Sequence, residues 1–252
     1  MLWSLLAIAG SVYAGLCLVF LVFQRSFIYM PTPAGAAHAA SFTLERPDAS
    51  LRISTRPHDG PGAVVYFGGN AEDVAWTVPE LAAAFPDRAV YALHYRGYGG
   101  SSGRPAEATL RGDARALFAM VHDRHPDVIV VGRSLGSSLA IQLAAEEPVS
   151  RLALITPFES ILAIARRAAP FLPMGLLLRD AWESWRYAPR VSCPTFVIAG
   201  SRDELVPPAD TRSLVAGFRP GVATLLVVEG GDHNSVSGIT EFREAIAGER
   251  RQ

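Results

Sequence analysis

The sequence of 252 residues contains no lysine and only two cysteines. All 23 basic side chains are arginines, and 24 acidic residues are interspersed with them, so the formal net charge is -1. This balance leaves no basic region of the kind that binds nucleic acid, and we expect no nucleic-acid partner. Cys17 lies in an apolar N-terminal run and Cys193 lies far from it, which argues against a disulfide framework and a cysteine-based metal site.

The usual cofactor signatures are also absent. The sequence has no P-loop, no H-E-x-x-H and no cysteine cluster. A glycine pair, Gly97 and Gly99, follows an apolar run, but the last glycine position of the dinucleotide fingerprint is occupied by Ser102. We therefore predict neither a cofactor nor a metal ion.

Charged side chains are missing from Leu2–Phe23, a run that Arg25 ends. At about 1.5 Å per residue, a helix of this length spans about 30 Å, the thickness of a bilayer core. A signal peptide cleaved after Val12-Tyr13-Ala14 is the alternative, but the run is longer than an ordinary signal h-region and has no basic residues before it. We predict a retained single-pass anchor, in the inner membrane if the cell is bacterial. Arg25 weakly favours a cytoplasmic domain.

The chain divides into an anchor (1–24), a Pro/Ala/Gly-rich linker (25–40) and one α/β domain (41–252). Short apolar runs, which are typical of buried strands, alternate there with helical patterns, and this alternation predicts a mostly parallel sheet with helices on both faces. The strand-like runs are Ala63–Phe67, Ala89–Tyr95, Val128–Val131, Leu152–Ile155, Thr195–Ala199 and Thr224–Val228. The helical patterns include Val74–Phe85, Ala106–Arg124, Leu135–Glu146 and Pro208–Phe218.

Two further segments depart from this alternation. Ser41–Glu45 and Leu51–Thr55 predict an antiparallel hairpin at the edge of the sheet. Residues 157–192 are too many for a simple connection between strands, and they are largely apolar. We predict that this insertion forms a small helical cap over the carboxyl ends of the strands, with Ile161–Leu178 covering the site.

The strongest local motif is G-x-S-x-G, which runs from Gly132 to Gly136 with Ser134 at its centre. It follows the apolar run V-I-V-V and opens a helical pattern, the context in which such a serine acts as a nucleophile. The turn from strand to helix is so tight that side chains at the two glycine positions would collide with their neighbours. Ser134 would then be exposed above the sheet at the positive end of a helix.

A serine hydroxyl needs a base, and in this arrangement an acid and then a histidine follow the serine along the chain. Asp203 and His233 each come just after a predicted strand, at the sheet edge where α/β proteins place their sites. Asp232 is interpreted as a turn residue. The other histidines are less suitable: one lies in the linker, one in a polar loop, two flank a helix end where we expect solvent contact, and one precedes the serine. They are His38, His58, His122, His125 and His94.

The reaction also needs N–H donors for the oxyanion. The backbone N–H of Leu135, directly after Ser134, is one candidate. The second comes from the loop after Ala63–Phe67, where Gly68 and Gly69 let the backbone approach a substrate and the N–H of Asn70 is the better donor. In a purely structural interpretation, this loop is a turn with a helix cap.

Five segments together resemble a membrane-anchored α/β-hydrolase family: VVYFGGNAEDV, LHYRGYGGSSGRP, VVGRSLGSS, FVIAGSRDELVP and GGDHNSVSG. Its relatives include bacterial hydrolases, eukaryotic bud-emergence-type proteins, lysophospholipid lipases and depalmitoylases. The resemblance covers nearly the whole chain and implies an α/β-hydrolase fold. It also implies that Ser134, Asp203 and His233 form the triad and that Gly69-Asn70 forms the oxyanion turn. Two positions depart from the family pattern: Gly68 replaces a common histidine, and His94 replaces the usual aspartate.

These features predict a serine hydrolase that cleaves an ester or thioester through an acyl-enzyme, with an apolar or membrane-associated acyl substrate. An aminopeptidase is an alternative, because the same fold hosts that activity, and Glu159 or Glu183 would then bind the substrate amine. A catalytically idle membrane scaffold is the second alternative, although a scaffold has no need of a triad and an oxyanion loop. The linker predicts that the hydrolase domain acts on short soluble esters without residues 1–24.

Overall fold

An eight-stranded sheet forms the centre of the computed structural model, which describes residues 2–35, 39–236, 240–241 and 243–244. The strand order is β1-β2-β4-β3-β5-β6-β7-β8. The hairpin β1–β2 is antiparallel and β2 pairs antiparallel with β4, whereas all other neighbours are parallel. The strands are β1 (Ala40–Arg46), β2 (Ala49–Arg56), β3 (Gly62–Phe67), β4 (Ala89–Leu93), β5 (Asp127–Arg133), β6 (Arg151–Ile155), β7 (Thr195–Gly200) and β8 (Ala223–Val228).

Helices cover both faces of this sheet. The helices are α1 (Leu2–Ile28), α2 (Val78–Ala84), α3 (Glu107–His122), α4 (Leu135–Ala144), α5 (Ile161–Ala168), α6 (Met174–Leu177) and α7 (Pro208–Ala216). Apolar side chains form one core on each face of the sheet. The central strands β3 and β4 are buried along their whole length because both of their faces are covered. The predicted mostly parallel sheet and the edge hairpin are confirmed.

The N-terminal helix α1 is long and apolar enough to cross a membrane, with a mean hydropathy of 2.4, and most of its large side chains are exposed. A signal sequence near the N-terminus can meet the same criteria of length and composition, so these properties make α1 a candidate span. The helix continues to Ile28, beyond the predicted end of the anchor. Tyr29, which we placed in the linker, is 3% exposed. His38 lies outside the described residues.

The predicted insertion between β6 and β7 contains the short helices α5 and α6 and two 3₁₀ turns, Ser184–Arg186 and Ala188–Arg190. Trp182 is fully buried and its indole N–H donates to the hydroxyl of Tyr29, at 3.1 Å. The second half of the insertion is therefore part of the core, whereas α5 and α6 have only one buried residue between them, Met174.

Candidate active site

Ser134 lies between β5 and α4 with φ 47° and ψ -113°, a conformation that side-chain-bearing residues rarely adopt. The tight turn depends on the two flanking glycines. A Cβ atom at Gly136 would lie 2.0 Å from the carbonyl oxygen of Phe67, and one at Gly132 would lie 2.5 Å from the carbonyl oxygen of Gly136. The predicted clash within the turn is confirmed for Gly132, whereas Gly136 is required by the close approach of β3.

The structure brings Ser134, His233 and Asp203 together. The Nε2 atom of His233 lies 2.9 Å from the Oγ atom of Ser134, and its Nδ1 atom lies 2.7 Å from Oδ2 of Asp203. Asp203 is 4% exposed, and its other oxygen, Oδ1, accepts hydrogen bonds from the backbone N–H groups of Leu205 and Val206. The aspartate is therefore held as an acceptor on both oxygens, in an orientation that leaves Oδ2 facing the imidazole.

Close packing of the loops after β7 and β8 brings the acid and the histidine together. The N–H of Arg202 donates to the carbonyl of Gly231 at 2.8 Å, and a Cβ atom at Gly200 would lie 2.4 Å from the same carbonyl oxygen. Asp232 is exposed and its carboxylate accepts from the N–H groups of Asn234 and Ser235, so its contacts are those of a turn residue.

The two candidate oxyanion donors lie on either side of Ser134. Leu135 is the first residue of α4, where N–H groups have no partner within the helix. The N–H of Gly136 donates to the carbonyl of Gly68 at 3.1 Å, which holds the loop of Gly68–Asn70 beside the nucleophile turn. Within the described part of the chain, the N–H groups of Leu135 and Asn70 have no hydrogen-bond acceptor. Both are available to a substrate oxygen.

Sequence reasoning missed the side chains that hold this loop. Glu72 accepts from the N–H of Gly69 at 2.7 Å and from the hydroxyl of Tyr66 at 2.8 Å. The Tyr95 hydroxyl donates to the carbonyl of Gly68 at 2.7 Å. Burial and the Glu72 carboxylate raise the pKa of Tyr66, so its hydroxyl stays a donor. The spacing of Glu72 three residues after Gly69 was the available signal, because it is the spacing of a carboxylate that caps a backbone N–H.

His94 does not belong to the site. It is 2% exposed, and its Nε2 atom lies 2.8 Å from the hydroxyl of Ser54 on β2. Burial lowers its pKa to about 4, so the imidazole is neutral near pH 7. His125 is 5% exposed and contacts Tyr91, so the expectation that it is solvated was wrong.

An apolar cavity of about 450 Å³ opens above Ser134, within the usual size range of ligand pockets. Among the described residues that line it, only Ser134 and Asn70 are polar. Side chains of α1, the cap and the loop after Asp203 form its walls, including Phe20, Phe27, Ile28, Ile161, Ile164, Leu172, Leu178 and Leu205. Glu159 and Glu183 do not line it, and Glu183 pairs with Arg186 at 2.9 Å.

Metal-binding clusters are not found among the residues that the structure describes: no group of three or more His, Cys, Asp or Glu side chains has the required arrangement. Cys193 is a free, buried thiol, and burial raises its pKa to about 11, so it is not activated as a nucleophile.

Comparison with known proteins agrees with this architecture. An uncharacterised protein of Mycobacterium tuberculosis is 34% identical over 247 residues, which cover 90% of this chain and 86% of the relative. The Arabidopsis thaliana protein WAV2, an alpha/beta hydrolase domain-containing protein, is 28% identical over 245 residues, covering 82% and 79%. Schizosaccharomyces pombe bem46 is 28% identical over 175 residues, which cover 64% of this chain and 58% of the relative.

Solved structures show the same fold at low sequence identity. The Pyrococcus furiosus esterase Pf2001 superimposes with a TM-score of 0.69 at 16% identity, over 88% of this chain and 97% of the esterase. Mouse alpha/beta hydrolase domain-containing protein 10 superimposes with a TM-score of 0.66 at 19% identity, over 84% of this chain and 99% of the mouse protein. A family model described as the alpha/beta hydrolase family matches residues 60–250. With that match spanning most of the sequence and the sheet, turn and loops arranged as above, the chain belongs to the alpha/beta hydrolase family.

Proposed function

We propose that this protein is a serine hydrolase that cleaves a carboxylic ester or thioester with an apolar acyl group. The observation that carries the proposal is the position of His233, which lies within hydrogen-bond distance of both the Ser134 hydroxyl and the Asp203 carboxylate. This geometry matches the requirement for a nucleophile, a base and a group that orients the base.

In the proposed first step, the Ser134 oxygen attacks the substrate carbonyl while Nε2 of His233 takes the hydroxyl proton. The carboxylate of Asp203 accepts a hydrogen bond from the Nδ1–H group of His233, which fixes the tautomer and stabilises the imidazolium. The N–H groups of Leu135 and Asn70 stabilise the oxyanion. His233 then donates the proton to the leaving alcohol or thiol, and the acyl group remains on Ser134.

In the second step, water hydrolyses the acyl-enzyme. His233 takes a proton from the water, whose oxygen attacks the acyl carbonyl, and the same two N–H groups stabilise the second oxyanion. The proton returns to the Ser134 oxygen as the acid product leaves. Both steps use the same residues, because in the second step water replaces Ser134 as the nucleophile and the Ser134 oxygen becomes the leaving group.

The apolar walls of the cavity support an acyl substrate. An aminopeptidase needs an acidic group beside the substrate amine, and no acidic side chain among the described residues lines this cavity. Of the two glutamates in the insertion, Glu183 pairs with Arg186. Pf2001, one of the structural neighbours, is an esterase, which is consistent with the proposal. We further propose that α1 remains as a membrane anchor and that the substrate is lipid-like.

The proposal predicts that a fluorophosphonate probe labels the full-length protein covalently and that Ser134→Ala abolishes labelling. Ester turnover by this variant should fall by a factor of about a thousand or more, because the nucleophile is lost. Ser102→Ala is the matched control: its hydroxyl accepts from the N–H of Ser50, outside the cavity, and labelling should persist. Labelling of Ser134→Ala with retained ester turnover would contradict the assignment.

A further inference from the structure

Polar contacts hold the last turn of α1 against the cap. The Gln24 amide, which is 2% exposed, donates to the carbonyl of Leu177 at 2.9 Å and accepts from the N–H of Arg179 at 2.6 Å. Arg25 pairs with the buried carboxylate of Asp180 at 3.0 Å. A glutamine buried in this way needs both of its partners, so the helix has a defined position on the cap.

The chain directly after α1 contacts the oxyanion loop. The Asn70 side chain donates to the carbonyl of Ile28 at 2.7 Å and accepts from the N–H of Met30 at 2.9 Å. The Tyr98 hydroxyl also donates to Asn70, at 2.7 Å. Because these bonds lie on both sides of the helix end, the helix keeps a fixed distance from Ser134.

One face of α1 lines the cavity above Ser134. Phe20 and Phe27 lie two turns apart on this face with their rings stacked, 6.0 Å between centroids, and Ile28 lies beside them. Phe23, one turn from each of these rings, does not line this cavity and instead lines a different groove.

The opposite wall of the cavity is α5. Ile161, Ile164, Ala165 and Ala168 face the cavity at the spacing of one helical face. The two helices therefore line an apolar slot that also contains Ser134 and Asn70.

We infer that α1 is one wall of the acyl-binding site, so that the acyl chain of a lipid-like ester or thioester lies between α1 and α5 with its carbonyl at Ser134. Phe20 and Phe27 are then specificity-determining residues for long acyl chains. This inference rests on the proposed hydrolase function. It assigns to the N-terminal helix a role in substrate selection in addition to anchoring.

The surroundings of the slot favour a chain that comes from a bilayer. The first turns of α1 are apolar and exposed, and the Tyr13 hydroxyl donates to the carbonyl of Phe171 in the cap at 2.9 Å. Phe171 and Leu176, also in the cap, are 65% and 87% exposed. An acyl chain that follows α1 from the bilayer therefore meets apolar surface along its path to Ser134, with little exposure to water.

The test compares two variants of the full-length protein in mixed detergent micelles. One combines Phe20→Ala with Phe27→Ala, and the matched control is Phe23→Ala, on the same helix but outside the cavity. The kcat/KM is measured on p-nitrophenyl butyrate and p-nitrophenyl palmitate. We expect the double variant to lose about tenfold or more on palmitate and less than about threefold on butyrate, because only the long chain reaches the two rings.

The control variant should match the wild type on both esters. A palmitate-to-butyrate ratio that is unchanged in the double variant, or one that falls equally in Phe23→Ala, would overturn the inference while leaving the hydrolase intact. Ala165→Trp provides a second measurement from the opposite wall, since its added volume should also lower palmitate turnover selectively. A wild-type protein that turns over neither ester and is not labelled by a fluorophosphonate would overturn the proposed function itself.

Discussion

Ser134 occupies a strained backbone conformation, which costs about 1–3 kcal/mol at a typical site of this kind. The cost is offset because several neighbours hold the turn. The Ser134 N–H donates to the carbonyl of Ile155 at 2.9 Å, and Ser137 donates both its N–H and its hydroxyl to the carbonyl of Ser134. The serine hydroxyl is thereby presented to His233 by backbone geometry, with no rearrangement required before the proposed attack.

Substitutions of Asp203 and Asp232 test which of the two carboxylates is the acid of the proposed triad. Asp203→Asn should lower kcat on a short ester by about a thousandfold or more, with KM and the unfolding temperature nearly unchanged, because an amide does not stabilise the imidazolium of His233. Asp232→Asn is the matched control, because the hydrogen bonds of its carboxylate to described residues are those with the turn at Asn234 and Ser235. Steady-state kinetics on both variants check this, and a larger loss in Asp232→Asn would reverse the assignment.

At the scale of elements, the cap has two apolar surfaces with different surroundings. Ile164 and Leu172 line the cavity above Ser134, whereas Phe171 and Leu176 project into solvent. A single apolar stretch of the sequence therefore has two groups of side chains. One group faces the proposed acyl chain, and the other is exposed and available to a membrane.

The two surfaces of the cap predict different effects on kcat/KM when two side chains of each are replaced by alanine. Ile164→Ala with Leu172→Ala should lower kcat/KM on p-nitrophenyl octanoate in micelles by about tenfold, because apolar contact with the acyl chain is lost. Phe171→Ala with Leu176→Ala should leave that value within about twofold, because neither side chain lines the cavity. A comparison of kcat/KM for the two double variants tests the assignment. Equal losses would mean that the exposed pair also contacts the acyl chain.

At the scale of the whole molecule, α1 and the hydrolase domain are joined more closely than a linker implies. The polar contacts of Gln24, Arg25 and Tyr29 with the cap lie at the boundary that the sequence assigned to the anchor and the linker. Burial and the Asp180 carboxylate raise the pKa of Tyr29, which keeps its hydroxyl a donor to that carboxylate. We therefore no longer expect removal of residues 1–24 to leave the site undisturbed.

The hydrogen bond from Tyr13 to the cap predicts that the N-terminus is retained in cells. Cleavage after Ala14 would remove Tyr13 and its bond to the cap, and would leave a helix too short to cross a bilayer. Protein purified from membranes should therefore have the intact mass of the uncleaved chain and stay in the pellet after carbonate extraction. A mature protein that begins at Gly15 and appears in the soluble fraction would show that the segment is a signal peptide.

Local patterns in the sequence were sufficient to predict the fold and to choose the candidate site residues. The six predicted parallel strands lie within two residues of their observed ends, because each is a short apolar run whatever its neighbours are. Gly132 was predictable because its clash lies within the turn, whereas Gly136 is required by the carbonyl of Phe67 on β3, which is distant in sequence. Ser134, Asp203 and His233 were chosen from the G-x-S-x-G motif, from positions just after predicted strands and from their order along the chain.

Only the tertiary structure decided which distant surfaces meet. The contacts of Gln24 with Leu177 and of Tyr29 with Asp180 join residues more than 150 positions apart, and no periodicity within either segment indicates the other. Phe20 and Phe27 are residues typical of any membrane helix, and their position on the cavity wall depends on how α1 lies against the cap. The sequence by itself therefore determined the elements and the chemistry of the candidate site. The shape of the acyl cavity came from long-range packing, which local patterns do not encode.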